Sequence, residues 1–293
     1  MKTIAITGAG GFLGSALLKQ LVTRQDVRIY AFTFDFERER PDFIKNEAVI
    51  PVDNSEVDTF DFSGVDVVIH CAFPRNAASS IIADGLDFVA RVLKRAAAAG
   101  AVINISSQSV YDPNRIAPAA ETDKCFLDSK YAVGKYASEL LNNTLCAGIP
   151  HTNIRMASLI GPGFDQRVTN KLVNIALETG SLTVNDDAQY FGYLDIEDAA
   201  RGILSLLDIP AQSWKTVYNL GSARTYTLKT IAETVADVIG RECGKKIEIQ
   251  LKPADAVLNS SLDADRLKTD TGFVSSVSLE ESITRILAAK LGK

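Results

Sequence analysis

The sequence predicts an α/β fold: a doubly wound parallel sheet with helices on both faces, followed by a smaller mixed lobe. Three observations carry that prediction. Over the first 160 residues, short β-branched runs alternate with longer stretches of helical periodicity, as parallel strands joined by crossover helices require. One run, Val65–Ala72 (VDVVIHCA), is apolar almost throughout, the mark of a strand covered on both faces. A glycine cluster, TGAGGFLG at Thr7–Gly14, falls between the first strand and the first helix.

The elements follow in order. Lys2–Thr7 is rich in β-branched residues and stops at Gly8, a first strand and not a signal peptide. Phe12–Gln25 places Leu13, Leu17, Leu18, Leu21 and Val22 on one helix face. Strands are expected at Val27–Thr33, Ala48–Val52, Val65–Ala72, Ala101–Ser106 and Pro150–Ala157. Helices are expected at Ser80–Ala99 and Asp128–Ala147, each followed by a glycine suited to a left-handed cap. Beyond Gly161 the pattern loosens. Helices are expected at Arg167–Thr179, Ile196–Leu207, Thr227–Gly240 and Leu279–Lys290, and short strands at Tyr190–Leu194, Thr216–Leu220 and Lys246–Leu251. This divides the chain into residues 1–160, a dinucleotide-binding half of Rossmann type, and residues 161–293, a substrate lobe sharing one fold with it.

Composition narrows the function. Lys and Arg number 31 against 36 Asp and Glu, a net charge of −5, which argues against a nucleic-acid or acidic-membrane binder. No run of eighteen apolar residues reads as a membrane span. Four cysteines, at 71, 125, 146 and 243, are too sparse for a disulfide framework, and with His70 and His151 they form no metal-site spacing. Reduced, buried thiols in the cytoplasm are expected.

Gly8, Gly11 and Gly14 follow a strand and open a helix, where a pyrophosphate can approach bare backbone amides; Gly14 also lets the helix pack close to the sheet. The second strand ends Tyr30-Ala31-Phe32-Thr33, without the carboxylate that holds the adenosine ribose of NAD. Asp35 comes only later, with Arg38 and Arg40 behind it. This favours NADP slightly over NAD as cofactor.

Tyr131 and Lys135 form YxxxK inside a helix, so both point to one side. A tyrosine is a poor base at neutral pH; a neighbouring cation favours the tyrosinate, which can take a proton from a substrate hydroxyl. Ser106 and Ser107 end the preceding strand, where open α/β sheets bind ligands.

With these residues in place, the chain resembles the extended short-chain dehydrogenase/reductase family, in its nucleotide-sugar epimerase/dehydratase branch. TGAGGFLG, VVIHCA (Val67–Ala72), SSQSVY (Ser106–Tyr111), YAVGKYASE (Tyr131–Glu139), NIRMASLIGP (Asn153–Pro162) and VYNLGS (Val217–Ser222) resemble its motifs in order. The resemblance implies Tyr131 as catalytic base and Ser107 as the residue binding the reacting oxygen. It implies Lys135 as the group that lowers the Tyr131 pKa and holds the nicotinamide ribose. It further implies cofactor contacts from Phe12, Leu13, Asp53, Asn54 and Ala72, and a substrate contact from Ser158. The expected substrate is a nucleoside-diphosphate sugar and the expected assembly a homodimer. Gln108-Ser109 stand where 4,6-dehydratases carry Asp-Glu, arguing against dehydration, and Tyr190 stands where an arginine often meets the substrate diphosphate. Lys171, Arg201 or Arg266 are expected to supply that charge instead. The reaction is expected to be epimerisation or reduction of a sugar nucleotide by hydride transfer. The alternatives are NADPH-dependent reduction of a smaller aldehyde or ketone, and an inactive NADP-binding regulator.

Overall fold

The computed structural model describes residues 1–34, 46–75, 78–185, 189–222, 224–253 and 258–292. Asp35, Arg38 and Arg40 lie outside the described residues.

Strands β1 (Lys2–Thr7), β2 (Val27–Thr33), β3 (Val49–Asp53), β4 (Val67–His70), β5 (Val102–Ser107) and β6 (His151–Met156) form one sheet. They lie in the order β6-β5-β4-β1-β2-β3, all parallel, with β11 (Val217–Leu220) added beside β6. The strand order therefore reverses between β1 and β4, and a crevice opens there at the carboxyl ends of the strands. Ile4, Ile6 and Ile69 face one apolar core with Leu13, Leu17 and Leu21 of α1 (Phe12–Leu21). Ala5, Val68 and Phe32 face another with Val89, Val92 and Leu93 of α2 (Ser79–Ala96). Helix α3 (Lys130–Leu145) starts at Ser129, whose hydroxyl accepts from the Ala132 amide.

The rest of the chain does not form one separate block. After β7 (Ser158–Ile160), α4 (Val168–Thr179), β8 (Ser181–Asn185) and β9 (Gln189–Phe191), the chain enters β10 (Tyr193–Asp195) and α5 (Ile196–Ser205). Leu194, Ile196, Ala199, Ala200 and Ile203 are buried in the first core with α1, and β11 joins the main sheet. Beyond it come β12 (Tyr226–Thr227), α6 (Leu228–Cys243), β13 (Glu248–Lys252), β14 (Leu258–Asn259), α7 (Asp265–Thr271) and α8 (Leu279–Lys290). Helices α4, α6 and α8 enclose a third core of Val173, Ala176, Ile231, Val235, Ile283 and Ile286.

Two departures from the sequence reading have identifiable causes, one local and one distant in the chain. Helix α1 stops at Leu21, short of the expected Gln25, where the Thr23 hydroxyl takes the Gln20 carbonyl and Asp26 turns at φ 56°. The single strand expected at Tyr190–Leu194 breaks at Gly192. A Cβ there would lie 2.7 Å from the Ser261 Cα of a crossing segment, so β9 and β10 part to different sheets. Among the described residues no helix is long and apolar enough to cross a membrane.

Candidate active site

The glycine loop is built on contact between β1 and β4. The Thr7 hydroxyl and His70 Nδ1 are hydrogen-bonded at 2.7 Å, and the Cys71 amide donates to the Thr7 carbonyl at 3.1 Å. Gly8 has φ +70°, and a Cβ on it would lie 2.9 Å from the Ala72 amide nitrogen. A Cβ on Gly14 would lie 2.2 Å from the Gly8 carbonyl oxygen, so only glycine lets α1 begin this close to the strand. Gly11 caps α1 without a side-chain hydrogen bond, so the first amides of the helix, from Phe12 onward, stay open for an anion. At the end of β3 the Asp53 carboxylate is engaged by the Ser55 amide and hydroxyl at 2.7 and 2.6 Å. Buried Asn54 leaves its Oδ1 without a partner. Open amides, bare glycines and an orphaned acceptor fit a dinucleotide lying across β1, β3 and β4.

Ser107 ends β5. It accepts from the Ser109 amide and hydroxyl at 3.2 and 3.0 Å, which leaves its own proton free to turn into the cavity it shares with Tyr131. Burial pushes the Tyr131 phenol up, while Arg75, Arg167 and the Ser107 hydroxyl oppose that shift. Lys135, one turn along α3, is buried and donates to the Ile105 carbonyl at 2.7 Å. Its Nζ lies 4.5 Å over the Phe73 ring, which also meets the Tyr131 ring edge-on at 6.0 Å. Desolvation pushes Lys135 down to about 8, with Cys71 and Glu139 opposing. A turn further on, Glu139 binds Arg155 through three hydrogen bonds of 2.8–3.3 Å and takes the Ser106 hydroxyl. Arg155 thus belongs to an ion pair within the sheet half.

Ser107, Tyr131 and Ser158 share one cavity of about 170 Å³ with Gln108, Ser109, Met156, Ala157, Arg75 and Arg167. The two arginines were not anticipated, and those that were expected are elsewhere. Arg201 is paired with Asp198 and bonds the Ser276 hydroxyl. Arg266 binds the Val217 carbonyl at 3.1 Å and faces Glu121 at 3.6 Å, and Lys171 is exposed on α4. Tyr190 is 41% exposed on β9. A second cavity, of about 350 Å³ between Pro118, Gly221, Leu262 and Phe273, contains none of the expected site residues. His70 is buried and neutral, its pKa lowered to about 3 by desolvation and the Lys135 charge. Trp214 packs on the first core with its indole N–H on the Leu206 carbonyl, and Asp195 caps α5.

A glycine cradle at a topological switch point, facing a half-buried serine and tyrosine with a buried lysine behind them, defines the class of nicotinamide-dependent enzymes built on the Rossmann sheet. Residues 4–221 match the model of the NAD dependent epimerase/dehydratase family, and the chain belongs to that family. It is 25% identical to the protein named uncharacterized UDP-glucose epimerase YtcB of Bacillus subtilis (strain 168), over 97% of this chain and 96% of that one. It is 24% identical to UDP-glucuronic acid decarboxylase 1 of Arabidopsis thaliana, over 97% of this chain and 69% of that one. In fold it matches the UDP-glucuronic acid 4-epimerase of Bacillus cereus solved in complex with NAD. The TM-score is 0.85 at 20% identity, over 99% of this chain and all of that one.

Proposed function

We propose that this protein is an NAD(P)-dependent sugar-nucleotide epimerase or reductase working through Ser107, Tyr131 and Lys135. The observation that carries this reading is that Ser107 and Tyr131 line one small cavity at the carboxyl end of β5, with Lys135 buried one turn behind. Gly8, Gly11, Phe12, Leu13 and Gly14 would hold the pyrophosphate, Asp53 and Asn54 the adenosine side, and Ala72 and Lys135 the nicotinamide riboside. When bound, the nicotinamide supplies hydride transfer.

The chain's own groups handle the proton. Tyr131 takes the proton of the reacting hydroxyl at its phenolic oxygen and returns it in the reverse direction. Ser107 donates its hydrogen bond to the reacting oxygen, because both of its acceptor positions are taken by Ser109. The positive charges of Arg75 and Arg167 favour the tyrosinate. Lys135 orients the riboside from below.

The second strand ends in buried Phe32 and Thr33, and among the described residues at its end there is no carboxylate to repel a 2′-phosphate. On this reading NADP binds at least as well as NAD. Titrating both at one ionic strength decides it; a strong preference for NAD would reverse the reading. Activity is tested by incubating the protein with either cofactor and a panel of UDP- and dTDP-sugars, following epimer formation and absorbance at the reduced nicotinamide. Tyr190 in place of an arginine favours a second reading, reduction of a smaller carbonyl compound. That reading wins if no nucleotide sugar binds at millimolar concentration while a simple aldehyde or ketone is reduced.

A further inference from the structure

We propose that the sugar ring reacting at Tyr131 carries its own carboxylate, and that Arg75 and Arg167 hold it. This rests on the nucleotide-sugar reading above and names the substrate class within it.

The two arginines come from opposite sides of the crevice, Arg75 from the loop after β4 and Arg167 from the turn before α4. Their guanidinium carbons lie 4.5 and 5.2 Å from the ring centroid of the same residue, Phe164, which is itself stacked on Phe12 at 4.3 Å. Phe164, held by its stacking on Phe12, thus gathers both cations at one ring. Neither has an ion-pair partner among the described residues, and the Arg167 Nε is buried with no hydrogen-bond acceptor. Among the described residues no carboxylate lines the cavity. Two partly buried like charges repel each other, and buried charges are ordinarily paired. Among the described residues the pairing group is therefore absent, and on this proposal it arrives with the ligand.

Its position on the ligand follows from size. At about 170 Å³ the cavity is smaller than the roughly 300–1,000 Å³ that accommodates a whole drug-sized molecule. With Ser107, Tyr131 and Ser158 in its wall it admits the reacting ring and little else. An anion within reach of both guanidiniums is then a substituent of that ring. Planar guanidiniums suit a planar carboxylate, which accepts paired N–H donors. A neutral hexose would leave both charges uncompensated.

The test is calorimetry on NAD-loaded protein with three probes: UDP, UDP-glucose and UDP-glucuronic acid. The uronic acid should bind at least tenfold tighter than the neutral sugar, a difference of about 1.4 kcal/mol. In the Arg75→Met, Arg167→Met double variant the two sugars should bind alike, with UDP unaffected and thermal unfolding showing an intact fold. Equal affinity of the wild type for both sugars overturns the proposal without any variant. Equal weakening of UDP by the double substitution also overturns it and assigns the arginines to the diphosphate. If none of the three probes binds while NAD does, the nucleotide-sugar reading itself falls and takes this one with it.

Discussion

Replacing Lys135 with methionine should make the protein more stable at neutral pH while abolishing turnover. Burial lowers this ammonium from its ordinary 10.5 to about 8. Between those values the unfolded chain holds a proton that the folded chain has lost, so stability rises with pH across the window. Below pH 8 the full cost of keeping the charge buried is present. At about 1.4 kcal/mol per pH unit this is roughly 3 kcal/mol. Methionine keeps the length of the stem and its packing but removes the charge. It also removes the hydrogen bond to the Ile105 carbonyl, worth about 1 kcal/mol. The net expectation is a gain of about 2 kcal/mol at pH 7. Urea unfolding of the protein without nucleotide, at pH 7 and pH 9.5, reads it directly. The wild type should gain stability between the two pH values, the variant should change less, and the gap should narrow. Burial holds the Cys71 thiol at about 12 despite the opposing Lys135 charge, so in the folded state it stays protonated across this range and contributes little to the difference. A variant less stable than wild type at pH 7, or a gap independent of pH, would refute the idea that Lys135 is held at an energetic cost for function.

Other substitutions probe the frame around it. Tyr131→Phe should lower turnover by about 10²–10⁴-fold and leave NAD affinity within a few-fold, measured by steady-state rates and nucleotide titration. Gly14→Ala, ordinarily helix-favouring, should cost about 1–3 kcal/mol and weaken nucleotide binding at least tenfold, because its Cβ would sit 2.2 Å from the Gly8 carbonyl oxygen. Glu139→Ala should cost about 3–5 kcal/mol in chemical unfolding, since it strands the buried Arg155 charge, while replacing both residues with methionine should cost less.

The parallel sheet was legible because its strands are covered on both faces and read as continuous apolar runs. The lobe was less so. Strand β7 is three residues long, and β8 (SLTVN) owes its place to pairing with β13, a partner more than sixty positions away. Neither pattern differs from a loop until the partner is known. Gly192 split an expected strand for a reason that lies at Ser261, far along the chain. Helix α8 matched residue for residue, because its start is a local device: Ser278 and Glu281 form a capping box.

The same division between local and distant causes runs through the site. Tyr131 and Lys135 declare themselves by spacing on one helix, and Ser107 by ending a strand. The cations of the cavity carry no such motif, and Arg201 and Arg266 looked as suitable as Arg75 and Arg167. What separates them is the whereabouts of the acids. Arg201 has Asp198 three residues before it on α5, and the two are paired. Arg75 has no acid three or four positions away, and neither has Arg167. The nearest acid to Arg167, Asp165, is engaged by Lys290 of α8 at 2.7 Å. An arginine in a loop at the sheet's carboxyl edge, without a local acid, was therefore the readable signal. The charge that a chain leaves unanswered beside its reacting groups is the charge its ligand must answer.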